Sequence, residues 1–429
     1  MNKHKTIFWT NIYPWMVWLV AAGFFFYKYL VQVSPSVMTQ DLMRTFQVNG
    51  AGLGNLSAFY FYAYLCMQIP VGMMLDKYSP RLLTTAAIMV CSLSTFIFSQ
   101  MSSLGWACVT RALMGAGAAF AAVSCFKLAA VWFSPKRFAL VSGLFMTAAM
   151  MGAIGGQMPL SVLVQHVGWR LALEVVGGLG IILGIIYFIV VRDKASPSAA
   201  AHAHSLAHPA ASKSLLYILK NKQAWLLSFY SGLAFAPVSV FGGLWGVPFL
   251  ETAHELSQTE AALATSSIFI GFAMGAPFLG WLSDYMGKRK PILFLGTSLA
   301  LVCLTSVLYL SSLPLVLIMV LLGSFGFGAS GFFTSFAMIR ELFPVALVAT
   351  VLGIMNTFDS VCEALFEPFV GALLDMTWTG AMLKEIHQFS LHGYHVALLV
   401  LPLSLILALV TLIFVKETYC RTFEDHSFS

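Results

Sequence analysis

Residues 280–290 read GWLSDYMGKRK, and 208 positions earlier residues 72–81 read GMMLDKYSPR. In both stretches a long apolar run ends in a glycine, an aspartate follows four residues later, and basic residues come before the next apolar run. Recurrence at half-chain spacing marks the chain as an internal duplication. Each copy predicts a tight turn at a membrane surface. Gly72 and Gly280 let two helices approach closely, while Asp76 and Asp284 can accept charge-assisted hydrogen bonds from neighbouring Lys or Arg, or cap a helix start.

Composition identifies the surface as that of a bilayer. Of 429 residues, 59% are hydrophobic and 9% charged, whereas soluble domains carry about 25% charged residues. A spanning helix needs roughly 20 mostly apolar residues, so the length accommodates about twelve spans and no sizeable domain outside the membrane. The opening, MNKHKTIFW, leads into an apolar stretch, 14–37, too long and too polar at its centre for a cleaved signal, and it reads as the first span. With twelve spans and both termini cytoplasmic, 17 of the 23 Lys and Arg fall in cytoplasmic segments. Arg44, Arg170 and Lys384 fall outside, and Lys28, Arg111 and Lys127 lie within helices. The positive-inside rule then predicts a multi-pass protein of the plasma membrane, in a bacterium the inner membrane, with both termini inside.

Two copies of the turn carry a family resemblance. Gly280, Leu282, Asp284, Gly287, Lys288 and Arg289 match the G-x-L-x-D-x-x-G-[RK]-[RK] signature between the second and third helices of the major facilitator superfamily. The first copy keeps Gly72, Asp76 and Arg81, with Ser79 in place of the usual glycine. Residues 111–119, RALMGAGAA, resemble the family's fourth-helix motif, with Arg111, Gly115, Gly117 and Ala119 in place. In the fifth span, Gly143, Gly152 and Gly156 have the spacing of the drug-antiporter motif, but Gln157 stands where that branch has proline. The resemblance implies an all-α membrane protein of twelve helices, in two pseudo-symmetric six-helix bundles with the solute between them at mid-depth. It also implies that the turns at Asp76 and Asp284 gate the cytoplasmic side, locking it when the protein faces outward.

The two bundles are expected at 1–192 and 220–429, joined by a cytoplasmic linker, 193–219. There the composition turns abruptly to Ala, Ser, His and Pro. His202, His204 and His208 in this linker lack an accompanying carboxylate or cysteine cluster and read as solvated residues, not metal ligands. The seven cysteines are scattered, and no metal or other cofactor is expected. No phosphate-binding P-loop and no nucleophile–base spacing appears, so neither ATP-driven transport nor enzymatic chemistry is supported. Nucleic acid is not an expected partner.

Polar side chains in the apolar spans mark the site. Tyr27, Lys28 and Gln32 sit near the middle of the first span. In the second, Tyr60, Tyr64 and Gln68 recur every four residues and share one helical face, as an aromatic packing seam or a cavity lining. Arg111 is costly at membrane depth unless it is paired, functional or snorkelling to the surface. The eleventh span, 345–374, carries Asn356, Asp359, Glu363 and Glu367 at spacings of 3, 4 and 4, one face over three turns. Such carboxylates are either proton-coupling sites or parts of a structural network, and Pro368 allows Glu367 to lie wet near the outer mouth. Asp359 and Glu363 are the proton-coupling candidates. Lys28, Tyr27, Gln32, Tyr60, Tyr64, Arg111 and Asn356 are the substrate candidates, and Gly72, Asp76, Arg81, Gly280, Asp284, Gly287, Lys288 and Arg289 the gating ones.

A basic wall facing an acidic wall suits a zwitterion, or an anion whose binding is linked to protonation. The expectation is a monomeric, proton-coupled symporter of a small polar solute: an amino acid, short peptide or carboxylate. The alternatives are an exporter of a drug-like or siderophore-like compound and a solute sensor that does not transport.

Overall fold

The computed structural model describes residues 12–193, 218–383 and 386–421. The linker histidines therefore lie outside the described residues, as does the side chain of Asp76. The N-terminal half contains α1 (Tyr13–Val33), a 3-10 turn (Ser34–Val37), α2 (Thr39–Phe46), α3 (Gly50–Lys77) and α4 (Pro80–Gln100). It continues through α5 (Leu104–Ala118), α6 (Phe120–Trp132), α7 (Pro135–Gly155) and α8 (Met158–Val190). The C-terminal half opens with α9 (Lys222–Val240), a π-helical turn (Phe241–Trp245), α10 (Gly246–His254), α11 (Gln258–Met286) and α12 (Lys290–Tyr309). After α13 (Leu315–Ala329), α14 (Phe333–Leu342) and α15 (Val345–Met376) comes a two-strand hairpin, β1 (Met382–Leu383) and β2 (Ile386–His387). The short α16 (Leu391–Leu398) leads into α17 (Val400–Phe414).

Nine stretches of the described residues are long and apolar enough to cross a membrane; one of them, Leu140–Val190, is 51 residues long. That stretch holds two rods, because α8 breaks at Gly168, whose φ of 79° is left-handed and needs glycine. The long helices α3 and α15, 28 and 32 residues, are not among the nine and carry much of the polar face described above. The twelve expected spans are thus met by apolar length at nine stretches.

Local chemistry sets the helix ends. Asn49 accepts the Gly52 N–H at the start of α3, and Ser257 with Glu260 forms a reciprocal capping box at the start of α11. Gly287, in the repeated turn, closes α11 at φ 61°. In α9, Pro237 removes a donor one turn before the helix widens into the π-turn.

The duplication read from the turns is also visible in the packing. In the N-terminal half α3 packs on α5, α4 on α5 and α8, and α1 on α7; in the C-terminal half the same roles fall to α11 on α13, α12 on α13 and α17, and α9 on α15. Glycine makes the closest of these crossings possible. A Cβ on Gly115 would lie 1.9 Å from the Tyr60 carbonyl oxygen, and one on Gly326 would lie 1.9 Å from that of Ile268. Only a hydrogen fits between backbones at that distance, and such crossings hold membrane helices together by dispersion where no water is available to drive association. The breaks between α5 and α6 and between α13 and α14 also fall at corresponding places in the two copies.

Candidate functional site

The halves meet along α3 and α15, α7 and α11, and α1 with the π-turn. Lys28, on α1, is 5% exposed and donates to Gln32 Oε1 at 2.5 Å one turn further on. Its ammonium lies 3.7 Å from the Tyr29 ring centre and 5.1 Å from that of Tyr64, so two aromatic faces take the place of water around the charge. Tyr64 stacks on Tyr60 at 6.3 Å, and the Tyr60 hydroxyl reaches the Lys28 carbonyl at 3.5 Å. The shared face of Tyr60 and Tyr64 therefore organises the surroundings of Lys28.

Arg111 is 1% exposed and does not snorkel. It donates from Nη1 to the Val31 carbonyl at 3.2 Å and from Nη2 to the Ser57 carbonyl at 3.5 Å, tying α5 to α1 and α3, and it lies 5.1 Å from the Tyr60 ring centre.

The acidic face of α15 supplies the other wall. Asp359, Glu363 and Glu367 are all buried. Asp359 accepts from Ser231 Oγ at 2.6 Å and so is held within its own half. Glu363 interacts electrostatically with Lys28, and Glu367 with Arg111, each across the interface. Neither pair is in direct ion-pair contact among the described residues. Glu363 Oε1 and Glu367 Oε2 are buried with no hydrogen-bond partner among the described residues. Asn356 is half-buried on α15 and stands beside Tyr64 of α3.

Two sequence expectations need correction. Tyr27 does not face the opposite half. A Cβ on Gly180 would lie 2.7 Å from the Tyr27 hydroxyl and 2.3 Å from Ser92 Oγ, so Tyr27 is packed between α4 and α8, and the interface position belongs to Tyr29. A rotation of 100° per residue on α1 separates the two, and adjacency to Lys28 cannot tell them apart. Glu367 is not wet at the mouth: it is 1% exposed, and Trp245 Nε1 donates to its backbone carbonyl at 3.1 Å.

The repeated turns lie at the basic end of the molecule. Arg289 is the hub of the second copy, bonding Asp284 Oδ1 at 2.5 Å, Glu341 Oε1 at 2.7 Å and Ser283 Oγ at 2.9 Å. Glu417 accepts the backbone N–H groups of Arg289 and Lys290. In the first copy Arg81 donates to the Phe188 carbonyl at 2.8 Å, and its N–H reaches Asp193 at 3.1 Å. Lys288 is exposed, and a Cβ on Gly72 or Gly280 would meet nothing within 4 Å. These turn contacts all stay within one half.

At the far end the halves are latched. Asp375, at the end of α15, accepts the N–H groups of Gly50 and Ala51 at 2.8 and 2.7 Å, capping α3 from the opposite half. His387 of the hairpin stacks on Trp378 at 3.8 Å and lies 3.5 Å from the same carboxylate. Gln157 accepts from Ser36 Oγ at 3.2 Å and donates to the Gly242 carbonyl in the π-turn at 2.5 Å. The residue that departs from the antiporter pattern is thus a bridge between halves. Neither Asp375 nor Gln157 was singled out for this role, because each partner lies far along the chain.

Among the described residues, no three of His, Cys, Asp and Glu are grouped so as to hold a metal ion. The chain is 22% identical over 94% of its length to "Uncharacterized transporter YybO" of Bacillus subtilis (strain 168), covering 93% of that protein. It is 24% identical over 90% of its length to "Probable galactarate/D-glucarate transporter GarP" of Escherichia coli (strain K12), covering 91% of it. A solved bacterial homologue of the human lysosomal transporter Spinster, in an inward-facing and occupied conformation, superposes with a TM-score of 0.75 at 17% identity, over 94% of this chain and 97% of that one. The Major Facilitator Superfamily model matches twice, at residues 17–249 and 227–424, once for each copy of the duplicated turn. The chain therefore belongs to the Major Facilitator Superfamily and is a multi-pass membrane transporter, not an enzyme.

Proposed function

We propose that the protein is a proton-coupled symporter that takes up a small organic carboxylate, with Lys28 as the anion's binding charge and Glu363 as the coupling site. The observation that carries this reading is the arrangement at the interface. Lys28 and Glu363 are buried on opposite halves and interact electrostatically without direct contact, Ser239 lies beside Glu363, and among the described residues Glu363 Oε1 has no hydrogen-bond partner. An arriving carboxylate competes with Glu363 for the ammonium. Once displaced, Glu363 is an uncompensated charge at membrane depth, and taking a proton relieves that cost. Solute and proton then load together, with Gln32 holding the Lys28 ammonium in place and Tyr29 and Tyr64 keeping water from it. Asp359, bonded to Ser231, is the second carboxylate on the path and relays the proton along α15. Arg111 and Glu367 are the structural counterpart, opposite charges that interact without direct contact, with Arg111 held by the Val31 and Ser57 carbonyls. The sugar-acid substrates in the name of GarP, a relative over most of the chain, favour an anion over the other solutes compatible with the sequence.

The basic end is the cytoplasmic end by the positive-inside rule, which puts both termini inside, in a bacterium at the inner membrane. On this reading the far end, latched by Asp375 and Gln157, faces out and is shut here, and a single chain is the functional unit. The described contacts of the turn at Asp284 stay within its own half, and on this reading both repeated turns engage the opposite half when the cytoplasmic side shuts. The two bundles, 1–192 and 220–429, rock against each other during transport.

The test is uptake of carboxylates by purified protein in liposomes under an imposed inward proton gradient, for the native chain, Glu363→Gln and Asp359→Asn. Gradient-driven uptake that becomes gradient-independent in Glu363→Gln supports the reading. Uptake indifferent to both gradient and substitution overturns the coupling. Failure of all uptake, with carboxylates leaving loaded vesicles on energisation, would make the protein an exporter, and binding without movement in either direction would make it a sensor.

A further inference from the structure

Charge accounts for one side of the site and leaves the other unexplained. Next to Lys28, between the halves, is a cavity of about 20 Å³, room for roughly one water molecule, so a solute must part the walls to occupy it. Tyr29 and Gln32, which bracket the Lys28 ammonium, form one wall on α1. Phe235, Phe269 and Phe272, on α9 and α11, form the wall opposite, with Val238 and Met150 beside them. Phe235 is stacked face to face on Phe332 with centroids 4.9 Å apart, and Phe272 packs against Phe332 and Phe333. The apolar wall is therefore backed by a second layer of rings and cannot turn polar by a change of rotamer. The hydrogen-bonding groups of the lining lie towards α1, at Tyr29 and Gln32, with Ser239 on the facing helix.

We propose that the solute is a carboxylate with an apolar body, branched aliphatic or aromatic, its head at Lys28 and its body against Phe235, Phe269 and Phe272. This rests on the reading of Lys28 as the anion's binding charge. A polyhydroxylated acid offers a hydroxyl at each carbon, and those turned toward the rings lose their water without gaining a partner. Apolar pockets discriminate against such hydroxyls by roughly ten- to a hundredfold. The same wall rewards a hydrocarbon body. Both simple carboxylic acids and apolar amino acids present this chemistry. The second kind would also place an ammonium near the Glu363 side of the site.

The probes are 4-methylvalerate and 3-phenylpropionate, their amino counterparts leucine and phenylalanine, and the sugar acids galactarate and D-glucarate. Uptake of each is measured in liposomes under an inward proton gradient. The expected result is preference for apolar-bodied acids over both sugar acids by about tenfold or more, lost to all probes in Lys28→Gln. In Phe272→Asn the preference should narrow by a similar factor while uptake of the sugar acids is retained or raised. Comparing the acids with their amino counterparts identifies the head group, and preference for either kind supports the proposal. Proton-driven uptake that favours galactarate or glucarate overturns the apolar body and leaves the coupled carboxylate symporter standing. Uptake of no probe, or uptake indifferent to Lys28→Gln, overturns both. The ranking of probes on the native protein decides the matter even where Phe272→Asn fails to fold.

Discussion

The two ends of the α3–α15 pair are built from the same residue types to opposite effect. At the far end, a Cβ on Gly371 would lie 2.1 Å from the Gly50 carbonyl oxygen, and one on Gly54 would lie 2.5 Å from that of Glu367. At the basic end, a Cβ on Gly72 of α3 or Gly353 of α15 would meet nothing within 4 Å. Glycine at the far end is a contact in use; at the basic end it borders open space. Charge follows the same division. Asp375 reaches across to cap α3, whereas Asp284 is 68% exposed and bound to Arg289 of its own half. A transporter that alternates needs two surfaces of similar affinity, only one of them engaged at a time, and the structure captures the far one engaged.

The largest expected effect comes from filling the far-end glycines. Gly371→Val cannot be accommodated without separating α3 from α15, and overpacking of this kind costs about 1–3 kcal/mol or more. Spin labels at positions 40 and 251, whose side chains are 3.4 Å apart across the interface, should show a new population at longer distance. Gly353→Val at the basic end should leave this distribution unchanged. If both variants behave alike, the two ends do not differ in engagement.

Removing the cap acts on the same contact more gently. Asp375→Ala leaves the Gly50 and Ala51 N–H groups without their acceptor, a loss of about 1–2 kcal/mol, or roughly tenfold in population. The same pair of labels should report a partial shift, and Asp375→Asn, which keeps one acceptor oxygen, a smaller one. An unchanged distribution in Asp375→Ala would mean that the far end is held without this cap.

The sequence carried the first half of this comparison better than the second. The turn at 280–290 was legible because its residues act on one another within a few positions, and Asp284, Gly287 and Arg289 do come together there. The burial of Arg111, Asp359 and Glu363 was legible because a charge in an apolar run is rare, whereas Pro368 left the depth of Glu367 open. What escaped were contacts between positions far apart in the chain. Asp375 reads as a helix-end acid until Gly50, 325 residues away, is placed beside it. Gln157 reads as a missing proline until Gly242 is seen to accept from it. The pairing of charges was likewise hidden: spacing put Asp359 and Glu363 on one face, but only the packing gives Glu363 to Lys28 and Glu367 to Arg111.

At the basic end, Arg289→Gln should destabilise without opening anything. It strands Glu341, whose side chain is 12% exposed and which otherwise retains Thr418 as a donor. Because Asp284 is largely in solvent, only the Glu341 side of the hub counts fully, and the expected loss is about 1–2 kcal/mol. Thermal unfolding of the purified protein should shift downward while the 40–251 distance stays short. A lengthened distance would show that the hub communicates with the far end.

The smallest effect is expected at Gln157, and there the chemistry of the substitution sharpens the comparison. Gln157→Leu removes one amide donor to the Gly242 carbonyl and one acceptor for Ser36, with a loss of about 1 kcal/mol and a severalfold shift toward an open far end. Gln157→Glu is nearly the same size, but its ionised form has no hydrogen to offer and sets a carboxylate against a carbonyl oxygen 2.5 Å from the native donor. Only the protonated form can donate. The far end of Gln157→Glu should therefore be looser than that of Gln157→Leu at high pH and should close again as the pH falls, in the 40–251 distance measured across a pH series. Native protein run through the same series is the control. A Gln157→Glu variant that matches native protein at every pH would mean that the bridge bears no part of the load. The α3–α15 contact would then carry more of the far end, which is the narrower form of the contrast with the basic end.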